Sequence, residues 1–190
     1  MNFFDVPYIN SNSIFIVPAN ASYNSEILDD NINTLKKLYQ FIEVGIAGKS
    51  VLNTDIPYIK IGTGSKNVFY SASIHANEWI TSIVLMKFLA DYCYCYKNNL
   101  TIFDYPASEL YNNCTLYIMP MVNPDGVNLV TGKISPSSSA YISAQNIASM
   151  YPSVPFTSGW KANIRGVDFL KYQLFIIYNL ISSHSFKSVI

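Results

Sequence analysis

Hydrophobic residues in the first third of the chain follow the spacing of one amphipathic helix and two short strands. After Ser25, from Ile27 to Tyr39, the apolar positions recur with helical period and charged residues fill the gaps, which predicts a helix. The runs 41–46 and 56–61 are rich in Ile, Val and Tyr and flank a polar stretch, so they predict an antiparallel pair of strands. Residues 1–24 are expected to form an extended lead-in, and residues 25–190 a single domain.

The middle of the chain has the pattern strand, helix, strand. Residues 68–73 are apolar and β-prone, 78–96 show helical spacing, and 116–122 are almost entirely apolar, as in a strand buried on both faces. A unit of this kind predicts parallel neighbouring strands. The fold class expected from these elements is α/β, with a mixed, partly parallel sheet and helices on both faces.

Turn residues and one long connection complete the pattern. Asn123 to Gly126 predict a turn after the third strand. Residues 132–159 are rich in Ser, Pro, Ala and Tyr, with at most a short helix near 140–150. Connections this long inside a compact domain are usually functional, so we expect this one to form a wall of a substrate groove.

Composition excludes several classes of partner. The charges of twelve basic and twelve acidic residues cancel, so the net charge gives no indication of binding to nucleic acid or to an anionic membrane. No apolar run approaches the about 18 residues of a membrane span, and the start of the chain lacks the pattern of a signal peptide. The odd cysteine count predicts reduced thiols for Cys93, Cys95 and Cys114 and a cytoplasmic protein.

The candidate chemistry begins at His75 and Glu78, which lie where a predicted strand gives way to a helix. Imidazole and carboxylate are both zinc ligands, so the pair predicts half of a catalytic zinc site. Any His followed three residues later by Glu fits the same pattern. The alternative is a helix start with an acidic residue that the helix dipole favours.

Neighbouring motifs make the zinc interpretation specific. The sequences SIHANEWI, MVNPDG and WKANIRGVD occur in this order, and a similar lead-in begins near Phe41. Together they resemble the zinc metallocarboxypeptidase family of the carboxypeptidase A type. The nearest branch is that of the bacterial γ-D-glutamyl diamino acid endopeptidases, and the resemblance runs continuously over about residues 20–168.

The resemblance implies zinc-dependent hydrolysis of a peptide bond, in peptidoglycan stem peptides for the bacterial branch. It implies Zn²⁺ bound by His75, Glu78 and a later His. It also implies that Lys161, Arg165 and Asn123 lie at the substrate. Arg165 is the preferred cation for the substrate carboxylate or the developing oxyanion, because a guanidinium can donate two bonds to one carboxylate.

Beyond Asp168 the chain departs from the family, since Phe169 and Leu170 stand where the family places Leu-Asn. The departure predicts an incomplete carboxypeptidase fold, truncated and internally deleted, without a general base. Glu109 and Asp104 are expected in a surface connection. His184 is the remaining His, either a third ligand or a side chain favoured near a helix C-terminus.

Two other functions remain open at this stage. One is a non-catalytic remnant that binds peptide or nothing, which zinc content would distinguish from an enzyme. The other is a flavodoxin-like nucleotide binder, which has only the Gly62-x-Gly64 sequence in its favour. That sequence lies between two predicted strands, where a plain turn is the simpler interpretation.

Overall fold

A computed structural model of the chain describes residues 16–18 and 21–168. The helices are α1 (Ser25–Leu38), α2 (Ile80–Lys97), α3 (Ala107–Asn113), α4 (Pro124–Val130) and α5 (Ser139–Ala148), with a 3-10 turn at Ala76–Glu78. The strands are β1 (Glu43–Lys49), β2 (Asp55–Ile61), β3 (Lys66–Ser71), β4 (Thr101–Ile102), β5 (Tyr105–Pro106) and β6 (Cys114–Met119).

The main sheet has the strand order β1-β2-β6-β3. Strands β1 and β2 are antiparallel, as predicted, and β2 is also antiparallel to β6. Strand β3 is parallel to β6, with Val68 beside Leu116 in the register. The unit β3-α2-β6 is therefore the predicted strand-helix-strand unit, and the α/β class with a mixed, partly parallel sheet is confirmed.

Helix α1 begins where its sequence predicts and ends at Leu38, with Tyr39, the last apolar position of the predicted helix, as its C-cap. The Asn24 side chain accepts a hydrogen bond of 3.1 Å from the backbone N–H of Ile27 and so caps the first turn. Glu26 lies in the first turn, and Lys36 and Lys37 lie in the last, which suits the helix dipole at both ends.

The largest core cluster joins α1 and α2 to one face of the sheet. Leu35, Met86 and Leu89 are completely buried there, with Ile59 and Ile118 from the central strands. The opposite face carries a smaller cluster of Ile56, Met119 and Val122, with Ala47, Phe69 and Ile74 packed against it. Alternation along β2 and β6 directs their apolar side chains to these two sides.

The predicted turn at 123–126 is wrong, because helix α4 begins at Pro124. Asn123 caps this helix by accepting from the N–H of Gly126 at 3.1 Å. Asn is a favoured N-cap and Pro is favoured in the first helical position, so turn residues here start a helix. The preceding strand ends at Met119, earlier than predicted. The helix expected near 140–150 is confirmed as α5, whereas α3 and the β4–β5 hairpin were not predicted.

The three cysteines are unpaired, in line with the prediction of reduced thiols. Cys93 and Cys95 are buried, Cys114 is partly exposed, and all three are free thiols. Burial raises the pKa of the Cys93 thiol well above its usual range. Among residues 16–18 and 21–168, no helix is long and apolar enough to cross a membrane.

A buried carboxylate fixes α4 to the β1–β2 connection. Asp125, which is 2% exposed, accepts hydrogen bonds from Ser50 Oγ at 2.7 Å, from the Leu52 N–H at 2.8 Å and from Thr54 Oγ1 at 3.1 Å. These donors satisfy a group whose burial would otherwise be costly. Asp125 therefore ties the connection between β1 and β2 to the first turn of α4.

We predict that Asp125→Ala lowers the free energy of unfolding by about 2–4 kcal/mol, because three donors lose a buried acceptor. Urea unfolding followed by circular dichroism measures the change. The control is Asp30→Ala, an exposed position on α1, for which a change within about 0.5 kcal/mol is expected. Equal losses in both variants would contradict the role of Asp125.

Candidate active site

His75 and Glu78 lie between β3 and α2, as the sequence predicts. His75 precedes the 3-10 turn, and Glu78 ends it. The turn brings the two side chains together, with 2.9 Å between His75 Nδ1 and Glu78 Oε1. The His75 side chain is mostly buried, whereas that of Glu78 is 48% exposed. The pair is thus anchored on one side and open to solvent on the other.

The geometry of this pair fits two ligands of one zinc ion. Zinc lies about 2.0–2.2 Å from nitrogen and carboxylate ligands, so two donor atoms at the observed spacing can both reach it. Within the part of the chain that the structure describes, no group of three His, Cys, Asp or Glu side chains could hold a metal. His184, the other candidate ligand, lies outside the described residues.

Asp168 approaches the other nitrogen of the same ring. Its Oδ1 atom is 3.5 Å from His75 Nε2, which is within ion-pair distance but longer than a normal hydrogen bond. Nε2 is buried, and no hydrogen bond to it is formed among the described residues. A carboxylate on the far nitrogen fixes the tautomer and orientation of metal-binding histidines. Sequence reasoning missed this residue, although the WKANIRGVD motif ends on it.

A buried hydroxyl network shapes the backbone ahead of His75. Ser73 has a φ of +47°, in the left-handed region that a non-glycine residue rarely adopts. Its Oγ lies 2.6 Å from Ser82 Oγ, and Ser82 donates to the Pro120 carbonyl. The Ser73 N–H donates to Thr81 Oγ1 at 2.9 Å. These bonds join the end of β3 to the start of α2 and hold the strained residue in place.

Asn123 joins the His75 segment to the segment that carries Asp168. It is 1% exposed, and its Nδ2 donates to the carbonyls of Ile74 at 3.3 Å and Ala162 at 3.1 Å. Gly126 lies against this amide and the Ala162 carbonyl. A Cβ at this position would be 2.6 Å from Asn123 Nδ2 and 2.7 Å from the carbonyl oxygen of Ala162. Glycine is therefore required for this approach.

The two predicted cations lie on this same attached segment. The Lys161 carbonyl accepts from the N–H of Ala76 at 3.0 Å, next to His75. Asn163 Oδ1 accepts from the backbone N–H groups of Arg165 at 2.9 Å and Val167 at 3.0 Å, which folds the backbone before Asp168. Both Lys161 and Arg165 are exposed to solvent.

The Gly62-x-Gly64 sequence forms a close-packed turn. It connects β2 to β3, and no helix begins there. A Cβ on Gly64 would lie 2.1 Å from the backbone nitrogen of Cys114, so this glycine is needed for packing against β6. Thr115 Oγ1 donates to the Gly64 carbonyl at 2.7 Å. The plain-turn interpretation is confirmed, and the nucleotide-binding alternative loses its basis.

Known proteins resemble this chain in sequence and in fold. The family model for zinc carboxypeptidases, peptidase family M14, matches residues 29–154. The chain is 44% identical over 153 residues to γ-D-glutamyl-L-diamino acid endopeptidase 1 of Lysinibacillus sphaericus, which covers 80% of the chain and 38% of the relative. It is 35% identical over 85 residues to metallocarboxypeptidase A of Trichophyton rubrum, covering 42% of the chain and 19% of the relative.

Solved structures agree at the level of the fold. Bovine thrombin-activatable fibrinolysis inhibitor, in complex with tick carboxypeptidase inhibitor, superposes with a TM-score of 0.51 and 19% identity over 74% of this chain and 36% of that one. A metallo-carboxypeptidase of Pseudomonas aeruginosa gives 0.51 and 16% identity, over 80% and 32%. The chain spans well under half the length of these relatives. Since the family model covers most of its residues, the chain belongs to the zinc carboxypeptidase family.

Proposed function

We propose that the chain binds Zn²⁺ through His75 and Glu78 at a site for hydrolysis of a peptide bond. The observation that carries this proposal is the 2.9 Å approach of His75 Nδ1 to Glu78 Oε1 at the carboxyl end of β3. Zinc in such a site polarises a carbonyl group and lowers the pKa of water. Membership of the zinc carboxypeptidase family supports the choice of metal.

The protonation of His75 follows from its two contacts. A ligand nitrogen needs a free lone pair, so binding through Nδ1 leaves the ring proton on Nε2. That proton lies on the side of Asp168, whose carboxylate at 3.5 Å favours it there by its charge. Asp168 is therefore a positioning residue. It acts on the metal through His75 and does not bind the metal itself.

The substrate contacts are assigned to the exposed cations. Arg165 and Lys161 are free to reach a peptide carboxylate or a developing oxyanion, and Arg165 offers two parallel donors. Asn123 has a different role in this proposal, because its buried amide is already bonded to Ile74, Ala162 and Gly126. It positions the segment of Lys161 and Arg165.

The substrate is proposed to be a peptide, with a γ-D-glutamyl-diamino acid peptide of the bacterial cell wall as the first to test. The similarity to the Lysinibacillus sphaericus endopeptidase supports this choice. A cytoplasmic location is proposed as well, since buried free thiols suit a reducing compartment. A non-catalytic peptide-binding role is the second candidate, because the described residues supply two zinc ligands and no third.

We predict that the purified protein retains stoichiometric zinc and that His75→Ala loses it, because one of the two described ligands is removed. Zinc per chain is measured by atomic emission. Asn77→Ala, in the same 3-10 turn, is the control and should keep its zinc. Full zinc in His75→Ala would contradict the site. Hydrolysis of a γ-D-glutamyl-diamino acid peptide by the zinc-loaded protein then separates an enzyme from a non-catalytic binder.

The carboxylate behind the ring gives a second prediction. Asp168→Asn should weaken zinc binding about 10–100-fold, because the neutral amide stabilises the Nε2 proton less well. Competition with a chelating dye measures the dissociation constant. Glu109→Gln, a carboxylate of α3 in the first helical turn, serves as the control and should leave zinc affinity unchanged. An unchanged affinity in Asp168→Asn would remove Asp168 from the site.

The substrate cation gives a third prediction. Arg165→Ala should lower kcat/KM for peptide hydrolysis about 100-fold or more while zinc is retained, because a donor to the developing charge is lost. Arg165→Lys should recover part of the loss through its charge alone. Lys161→Ala is the comparison and should cost less. A larger loss in Lys161→Ala would transfer the role to Lys161.

A further inference from the structure

The side chain of Thr81 closes the backbone that carries His75 and Glu78 into a hydrogen-bonded ring. Its hydroxyl accepts from the Ser73 N–H at 2.9 Å and donates to the Glu78 carbonyl at 2.7 Å. A backbone N–H can only donate and a carbonyl can only accept, so the directions of both bonds are fixed and the hydroxyl proton is used. The hydroxyl therefore joins the residue two positions before His75 to Glu78 itself.

One of these two bonds goes beyond ordinary helix chemistry. Threonine side chains in helices often donate to a carbonyl three or four residues earlier, and the bond to Glu78 is of this local kind. The bond from Ser73 is different, because Ser73 lies between β3 and the 3-10 turn, eight residues before Thr81. Thr81 thus links the end of a strand to the start of α2, and both proposed zinc ligands lie between the linked residues.

Ser73 is restrained at each of its polar groups. Its carbonyl accepts from the Asn123 N–H at 3.0 Å, and its Oγ lies 2.6 Å from Ser82 Oγ. Its φ of +47° is unfavourable for a residue with a side chain and persists only while its surroundings determine it. Ser73 is 2% exposed, so its N–H relies on the Thr81 hydroxyl as acceptor. Loss of that hydroxyl would release one of the restraints on the backbone that leads into His75.

We propose that Thr81 is a positioning residue for the His75–Glu78 pair, which it keeps at the separation that one metal ion requires. The inference rests on the proposed function for its metal. Thr81 acts through the backbone and does not bind the metal, because its hydroxyl is already bonded on both sides. Without that hydroxyl the strand end and the turn can move apart. The apparent zinc affinity then falls in proportion to the fraction of molecules whose two ligands are correctly spaced.

The zinc dissociation constant of Thr81→Val tests this role, because valine keeps the branched shape and removes the hydroxyl. Thr81 is exposed to solvent, so the substitution leaves the packed core intact. Competition with a chelating dye should give a dissociation constant about tenfold or more above that of the wild-type protein. Thr81→Ser retains the hydroxyl and should restore most of the affinity. Equal affinity in Thr81→Val and the wild-type protein, or an equal loss in Thr81→Ser, would overturn the proposal.

Thr115→Val is the matched control for general destabilisation. It makes the same substitution at a threonine whose Oγ1 also donates to a backbone carbonyl, that of Gly64 at 2.7 Å. Thr115 lies beside Asn67 near the start of β3, whereas Ser73 follows the end of that strand. The control should lower the urea midpoint, since a hydrogen bond is lost, and leave zinc affinity unchanged. A parallel loss of zinc affinity in Thr115→Val would overturn the positioning role.

Hydrogen exchange, measured by NMR with a chelator present, follows the same restraint without zinc. The N–H groups of Ser73 and of Glu78, which donates to the His75 carbonyl at 3.3 Å, are the reporters. Both should exchange at least about tenfold faster in Thr81→Val, but not in Thr81→Ser or Thr115→Val. Unchanged exchange in Thr81→Val would overturn the proposal.

The exchange measurements and the zinc measurements fail independently. Faster exchange in Thr81→Val, when the wild-type protein holds no zinc, supports the restraint by Thr81 and rejects the metal site. Zinc-dependent hydrolysis with equal zinc affinity in Thr81→Val and the wild-type protein rejects the positioning role and keeps the enzyme.

Discussion

The buried amide of Asn123 is the contact on which the candidate site depends. It bonds to the carbonyl that precedes His75, to the carbonyl of Ala162 and to the first turn of α4. Two of these segments are far apart in sequence and share no element. Because a buried amide must find partners for its donors and its acceptor, Asn123 fixes their separation. The approach of Asp168 to His75 follows from that attachment.

The hydroxyl network on the other side of His75 has a comparable effect. Ser73 holds an unfavourable positive φ only because its main chain and hydroxyl are bonded to Thr81 and Ser82. Helix α2 thus determines the direction in which the chain leaves β3. Asn123 and this network together hold the backbone that leads into His75. A backbone fixed in this way would leave little to order when the proposed metal binds.

Local patterns predicted the elements that are long and regular. The period of apolar residues identified α1, α2 and the strand pair β1–β2, and the apolar runs on either side of α2 predicted the parallel pair β3–β6. The short elements α3 and the β4–β5 hairpin were not predicted, because they contain too few residues to show a hydrophobic period. The turn expected at Asn123 became the cap of α4, since the same residue types serve turns and helix starts.

The sequence by itself determined the α/β class, the position of His75 and Glu78 at a strand-to-helix junction, and the likeness to zinc carboxypeptidases. Each element and each motif depends on residues that are close neighbours in the chain, and the likeness to the family adds only the order of the motifs. Only the tertiary structure decided that Asp168 faces His75 Nε2 and that Asn123 is buried. Each of these depends on contacts between distant segments, whose packing no local pattern encodes.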